Sequence, residues 1–198
     1  MDGSNITNDA TAELQLAVGE CILAWALVEA LLSQVFAEVQ RGLDASVSHA
    51  VLGAVRSFDA RLKMISEAFN VRFPHPDQPP RTDWKLLYNY LSASNTQRNQ
   101  VAHALMIGLG GDDPVLEPYF IVTAPKPHLR AKDVRDRTAR FNELGDALTP
   151  WFVGELMDRR GARPPQWPRQ VPDLVLRLRA EVDRNRAKPK RQRRPSHR

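Results

Sequence analysis

Residues 13–39 read ELQLAVGECILAWALVEALLSQVFAEV. Leu14, Val18, Ile22, Trp25, Glu29, Leu32, Phe36 and Val39 recur in it at three- and four-residue spacing. That spacing puts them on one face of a helix. The helix is expected to begin near Asp9 or Thr11, after a disordered segment 1–8, and to end at about Val39. Gly42 and Asp44 then mark a turn. A second helical region follows from Ser46 to Phe69, lined by Val51, Val55, Phe58, Leu62, Ile65 and Phe69, with a break or cap at Gly53 and Ser57. Pro74, Pro76, Pro79 and Pro80 form a stiff loop that cannot continue a helix. A third helix covers about Thr82–Ala93, with Trp84, Leu87, Tyr88 and Leu91 on one face. Ser92, Ser94, Asn95 and Thr96 are weak helix formers and good caps, so a kink or a fresh start is expected there.

Beyond Ala104 the pattern changes. Leu105–Leu109, the turn-forming Gly110-Gly111-Asp112-Asp113-Pro114 and Val115–Val122 read as a β-hairpin. A last long helix is expected over Ala131–Met157, lined by Val134, Thr138, Phe141, Leu144, Leu148, Trp151, Phe152 and Leu156 and kinked at Pro150. Residues 161–172 are Pro-rich, Val171–Arg186 forms a short helix, and 184–198 is a basic tail. The expected fold is mainly all-α: an antiparallel bundle of about four helices with a small β-hairpin before the last long helix. The helical domain covers 9–160. The Pro-rich segment and short helix cover 161–183, and the tail 184–198.

Charge is divided unevenly. Eight of the 28 Lys and Arg residues lie in 184–198, which has no acid. The remainder carries 20 basic residues against 23 acidic ones. The body is therefore mildly acidic and the tail strongly basic. Such a tail, including Arg191, Arg193 and Arg194, attracts polyanions such as RNA without reading sequence. The alternative is a solvated tail that only aids solubility. The stretch Cys21–Leu32, interrupted by Glu29, is too short and polar for a bilayer span. No signal peptide is visible at the N-terminus. Cys21 is the single cysteine, which excludes an internal disulfide and fits a reducing cytoplasm. One cysteine and histidines scattered at 49, 75, 103, 128 and 197 build no zinc centre. Gly108-Leu109-Gly110-Gly111 lacks the Lys-Ser/Thr of a phosphate loop, and no Gly-x-Ser-x-Gly elbow is present. No metal or cofactor is expected.

The string that carries chemistry is Arg98-Asn99-Gln100-Val101-Ala102-His103. In an undisturbed helix, Arg98 and His103 would lie about 140° and about 7.5 Å apart. They can address one cleft only if the helix starts or bends near Arg98, or if a second subunit supplies the other half. A histidine suits proton transfer to and from a ribose 2′-hydroxyl near neutral pH. A guanidinium can grip two phosphate oxygens at once and keeps its charge. Asn99 can hydrogen-bond a phosphate oxygen or orient the other two.

This string resembles the motif of the HEPN (higher eukaryotes and prokaryotes nucleotide-binding) superfamily: an Arg, a polar residue, and a His four to six residues after the Arg. Ala24-Trp25-Ala26-Leu27-Val28-Glu29 and Ser57-Phe58-Asp59-Ala60-Arg61-Leu62-Lys63 are similar to segments of bacterial HEPN-like proteins. The resemblance spans roughly residues 15–155 and leaves out the C-terminal appendage. It implies a metal-independent RNase acting as a homodimer, with the two motifs facing one cleft, and a role as a toxin with an antitoxin partner or as a defence protein. Arg98, Asn99 and His103 would be the catalytic residues. The products would carry 2′,3′-cyclic phosphate ends. The resemblance also covers members that have lost activity and only dimerise or bind protein or nucleic acid.

Each site residue has a plainer alternative. His103 can be an idle core histidine, and Arg98 a surface residue or dimer salt bridge. Glu29 falls on the apolar line of the first helix, where a buried carboxylate needs a partner. Arg98 or His103 would supply it, making Glu29 an orienting group. Otherwise Glu29 sits at the edge of the line and reaches water. Trp25, Trp84 and Trp151 read as core aromatics.

Overall fold

The computed structural model describes residues 3–40, 44–107, 114–118, 128–149 and 173–187. These residues are mostly helical, with helices α1 (Gly3–Val39), α2 (Ala45–Ala54), α3 (Phe58–Arg72), α4 (Pro79–Ala102), α5 (Ala131–Ala147) and α6 (Asp173–Ala187). Two short strands, β1 (Ala104–Ile107) and β2 (Val115–Pro118), pair antiparallel between α4 and α5, Ala104 opposite Pro118 and Ile107 opposite Val115.

α1 is the centre of the core. It touches α2, α3, α4 and α5, and packs most extensively on α5. A helix surrounded in this way buries a wide face. Leu14, Ala17, Cys21, Trp25, Val28, Leu32, Val35 and Phe36 are all essentially sealed from solvent. The eight-residue line read from the sequence follows one flank of this face. Ile22 and Glu29 on it are only half-buried, while Ala17, Cys21, Val28 and Val35 occupy its middle. Trp25 packs against Phe58 at 4.9 Å and edge-on to Phe141 at 5.0 Å, which joins α1, α3 and α5. Burying a large apolar side chain of this kind stabilises by roughly 1.5–3 kcal/mol.

Paired contacts fix the helix directions. Glu13 meets Arg135, and further along α1 Leu27 and Leu31 meet Gly145, so α1 and α5 run the same way. Trp25 meets Phe58 and Glu29 meets Arg61, so α3 runs with them. α4 turns back on α3. Arg81 donates to the carbonyls of Phe73 and Pro74, and Trp84 stacks on Phe69 at 4.9 Å and donates to Ser66 Oγ at 2.8 Å. α6 lies across the beginning of α4, with Leu174 and Val175 buried and Arg179 in a two-pronged ion pair with the buried Asp83.

Several boundaries differ from those expected. α1 begins at Gly3 rather than Asp9 or Thr11, because elongation adds one hydrogen bond per residue and no breaker interrupts residues 4–8. Ser57 caps α3, accepting from the Ala60 N–H. Pro79 and Pro80 open α4 instead of belonging to a loop that stops helices, since first-turn positions have no N–H bond to lose. α4 also runs unbroken through Ser94-Asn95-Thr96 to Ala102. Thr96 Oγ1 returns its proton to the Ser92 carbonyl, and Ser94 is buried on the core side. The bend expected before the motif is absent. Leu116 forms a bridge with Leu129, which brings the chain back to the start of α5. The expected extension of α5 to Met157, its kink at Pro150, and the Pro-rich segment lie outside the described residues. Over Asp9–Val39, α1 is long and apolar enough to cross a membrane by length and composition, its most apolar 18-residue window having mean hydropathy 1.8 and being one-third buried in the protein.

Candidate functional site

α4 presents Leu87, Leu91, Ser94, Arg98 and Val101 along its inner side at three- and four-residue spacing, and all but Arg98 are buried. Arg98 is half-buried at the last turns of this line. Its Nη1 donates to the neighbouring Asn99 Oδ1 at 3.0 Å, while its Nε is sealed from solvent and has no hydrogen-bond partner among the described residues. The helix ends one residue before His103, which is the C-cap with φ −113° and ψ 20°. His103 leaves helical geometry there, and its N–H still donates to the Asn99 carbonyl at 3.1 Å. The side chain of His103 is exposed.

Asn99 is therefore the hub of the motif. Its side chain holds the Arg98 guanidinium and its carbonyl holds the turn that carries His103. α4 has no bend near Arg98, and only its end at Ala102 alters the backbone between Arg98 and His103. The two side chains share no hydrogen bond with each other among the described residues. His103 is not the idle core histidine of the plainer alternative, because solvent reaches it.

The opposite side of the same turn is clamped from α5. Arg137 Nη1 donates to the Gln97 carbonyl at 2.8 Å, and Nη2 to Gln100 Oε1 at 2.8 Å. Burial pulls the Arg137 guanidinium below its ordinary pKa, yet an arginine remains charged at any physiological pH. Beside this clamp lies an open pocket of ≈ 310 Å³, lined by Gln97, His128, Leu129, Asp133, Asp136, Arg137 and Arg140. Asp133 is engaged at the start of α5, accepting from the Arg130 N–H at 2.9 Å. His128 Nε2 stands 3.9 Å from Glu117 on β2. The end of α4 thus carries Arg98 and His103, with Arg137 and Arg140 close by.

Glu29 is not part of this arrangement. Its carboxylate pairs with Arg61 at 3.2 Å, with both groups partly exposed. Arg61 also donates to the Val55 carbonyl at 2.7 Å, so the pair fastens α1 to the α2–α3 junction. Neither Arg98 nor His103 supplies a partner to Glu29 among the described residues. Arg191, Arg193 and Arg194 lie outside them. Arg137, Arg140, Gln97 and Gln100 were missed in the sequence, where only the apolar line of α5 was read. The spacing of Arg130, Arg137 and Arg140 around Asp133 was the available signal. Comparison of the chain with protein-family models, with curated proteins and with solved structures gives no match.

Proposed function

We propose that this chain is a metal-independent endoribonuclease of the HEPN type, built on a bundle whose four principal helices are α1, α3, α4 and α5. The observation that carries this reading is the position of His103, solvent-reachable at the end of α4 and tied through Asn99 to Arg98. His103 takes the proton of a ribose 2′-hydroxyl or returns one to the departing 5′-oxygen. The 2′-oxygen attacks the adjacent phosphorus, the bond to the 5′-oxygen breaks, and a 2′,3′-cyclic phosphate remains. Arg98 bears on the extra negative charge of the transition state, and Asn99 sets its angle. In this reading the protein is a cytoplasmic homodimer whose basic tail, with Arg191, Arg193 and Arg194, raises RNA affinity in a salt-dependent way. A toxin or defence role, with an antitoxin as partner, belongs to the same reading.

The test is incubation of bulk RNA and of structured RNAs with the wild type and with His103→Ala, in EDTA, with analysis of the fragment ends. Positioned acid–base catalysis contributes about 10²–10⁴-fold, so the variant should lose at least about 100-fold and the wild type should leave cyclic phosphate. Equal cleavage by both proteins would remove His103 from the chemistry.

The sealed Nε of Arg98 and its engagement with Asn99 favour a second reading, in which Arg98 is a buttress at the end of α4 and the chain is a non-catalytic module for dimerisation or binding. No cleavage by either protein, together with a lower Tm for Arg98→Ala, would select it.

A further inference from the structure

The pocket beside the end of α4 carries two charges that the fold leaves unpaired. Asp136 and Arg140 line it, four residues apart on α5. Side chains at that spacing stand about 6 Å from each other at Cβ. Both are exposed, and neither makes a hydrogen bond or ion pair among the described residues. Their neighbours are engaged: Asp133 accepts from the Arg130 N–H, and Arg137 holds Gln97 and Gln100. Gln97 lines the same pocket, and its Oε1 is sealed from solvent with no hydrogen-bond partner among the described residues. A buried acceptor in that state needs a donor. The buried Leu129 and the exposed ring of His128 complete the lining. The volume, ≈ 310 Å³, suits a small ligand or one nucleotide of a strand.

We propose that this pocket takes the guanine base of an RNA strand. Guanine is the base that carries two adjacent donors, N1–H and the N2 amino group, beside two acceptors, O6 and N7. A carboxylate accepts from the first pair, and a guanidinium donates to the second with both prongs. Asp136 and Arg140 supply these two groups at neighbouring positions. Adenine would turn its N1 lone pair to the carboxylate and its N6 amino group to the guanidinium, which sets like against like. Uracil and cytosine have no two adjacent donor groups. Leu129 and His128 offer surfaces on which a base can rest, as aromatic and apolar side chains do for unpaired bases. The pocket also lies on the side of α4 that leads to the histidine. Gln97, Gln100 and His103 follow at three-residue steps, so each is the next one's neighbour. From Gln97 to His103 is about 9 Å along the axis, a distance that a nucleotide spans from its base to the next phosphate. A guanosine seated here brings its own ribose toward His103, and the cut falls on its 3′ side.

The cleavage specificity rests on the RNase reading, whereas base binding is measured without it. Isothermal titration of the full chain with each of the four nucleoside 3′-monophosphates reads binding, and digestion of an RNA of known sequence reads cleavage. The guanosine nucleotide should bind at least about 10-fold more tightly than the adenosine one. Asp136→Asn should abolish that preference, since an amide cannot accept from both donors. Arg140→Met should weaken guanosine binding by a similar factor. Both side chains are exposed and unpaired, so the Tm of each variant should stay at the wild-type value. Wild-type fragments should end in guanosine 2′,3′-cyclic phosphate, and Asp136→Asn should scatter the ends over all four bases. Equal binding of the four nucleotides, or binding of none, overturns the proposal. Equal binding that Arg140→Met removes assigns the pocket to the phosphate group alone. Cleavage that needs His103 but shows no preference for guanosine would overturn the pocket and leave the RNase reading intact. Guanosine-selective binding without cleavage would do the reverse.

Discussion

Arg137 is the residue on which the end of α4 depends. It satisfies two acceptors there, the Gln97 carbonyl and Gln100 Oε1. A hydrogen bond from a charged donor contributes about 1.5–3 kcal/mol, and the cost of burying the guanidinium offsets part of two such bonds. Arg137→Met is expected to lower stability by about 1–3 kcal/mol, read as a shifted urea midpoint with an unchanged m-value. No shift would mean that the clamp is idle. Cys21 gives a pH signature. Burial pushes its thiol pKa up, against the Thr138 hydrogen bond and the Arg137 charge that pull it down. The unfolded thiol loses its proton near pH 8.5. In the window above that, the folded state holds the proton longer, so this contribution is full below about pH 8.5 and fades as pH rises through the folded value. The wild type should therefore lose stability above about pH 8.5 more steeply than Cys21→Ala. Parallel pH curves for the two would contradict it. At this scale the sequence was a partial guide. The Arg98–Asn99–His103 string was visible in it, but the partner of Glu29 is Arg61, 32 residues away, and no local pattern specifies such a pairing.

At the scale of the element, glycine distinguishes close packing from mere tolerance. Gly145 sits on the buried side of α5, and a Cβ there would meet Leu27 at 3.6 Å and Leu31 at 3.8 Å, ordinary contact distances. Alanine in a helix interior is favoured over glycine by about 0.8–1 kcal/mol. Gly145→Ala should consequently raise Tm by a few degrees, and a drop of similar size would show that α1 and α5 need a closer approach. Helix existence was legible along most of the chain, because three- and four-residue spacing records a buried face. Helix ends were less so. Pro79 and Pro80 stop helices from within but start them well, and Ser94 to Thr96 favour caps only where no neighbouring helix holds the segment. The outcome at both places was decided by packing against α3 and α5.

In the whole molecule, the C-terminal helix α6 is fastened by two ion pairs among the described residues, Arg177 with Glu143 of α5 and Arg179 with Asp83 of α4. Asp83 is 1% exposed and is held by Arg179 of α6, whose side chain is 39% exposed. Removing one partner of a buried pair costs about 3–5 kcal/mol, and solvent on the Arg179 side reduces this. Arg179→Met should cost about 2–3 kcal/mol, checked by chemical unfolding, and most of the loss should be recovered in the double variant that adds Asp83→Asn. Failure of the second change to recover stability would indicate that Arg179 acts through packing and not through the carboxylate. Composition gave the separation of an acidic body from a basic tail, yet no spacing rule predicts that residue 179 returns to residue 83.

α4 is thus anchored near its beginning by Arg179 and near its end by Arg137. A rod pinned at two points cannot unwind from either tip without first releasing a pin, and this governs the clock of its amide protons. Between the anchors, exchange with deuterated water should occur only when the entire fold opens, at rates that track global stability. Past Ala102, where β1 and β2 make a two-stranded ladder, exchange should be faster and insensitive to stabilising changes elsewhere. Equal protection on both sides of His103 would refute that division. If it holds, the histidine stands at the border between a part of the protein that opens rarely and one that opens often.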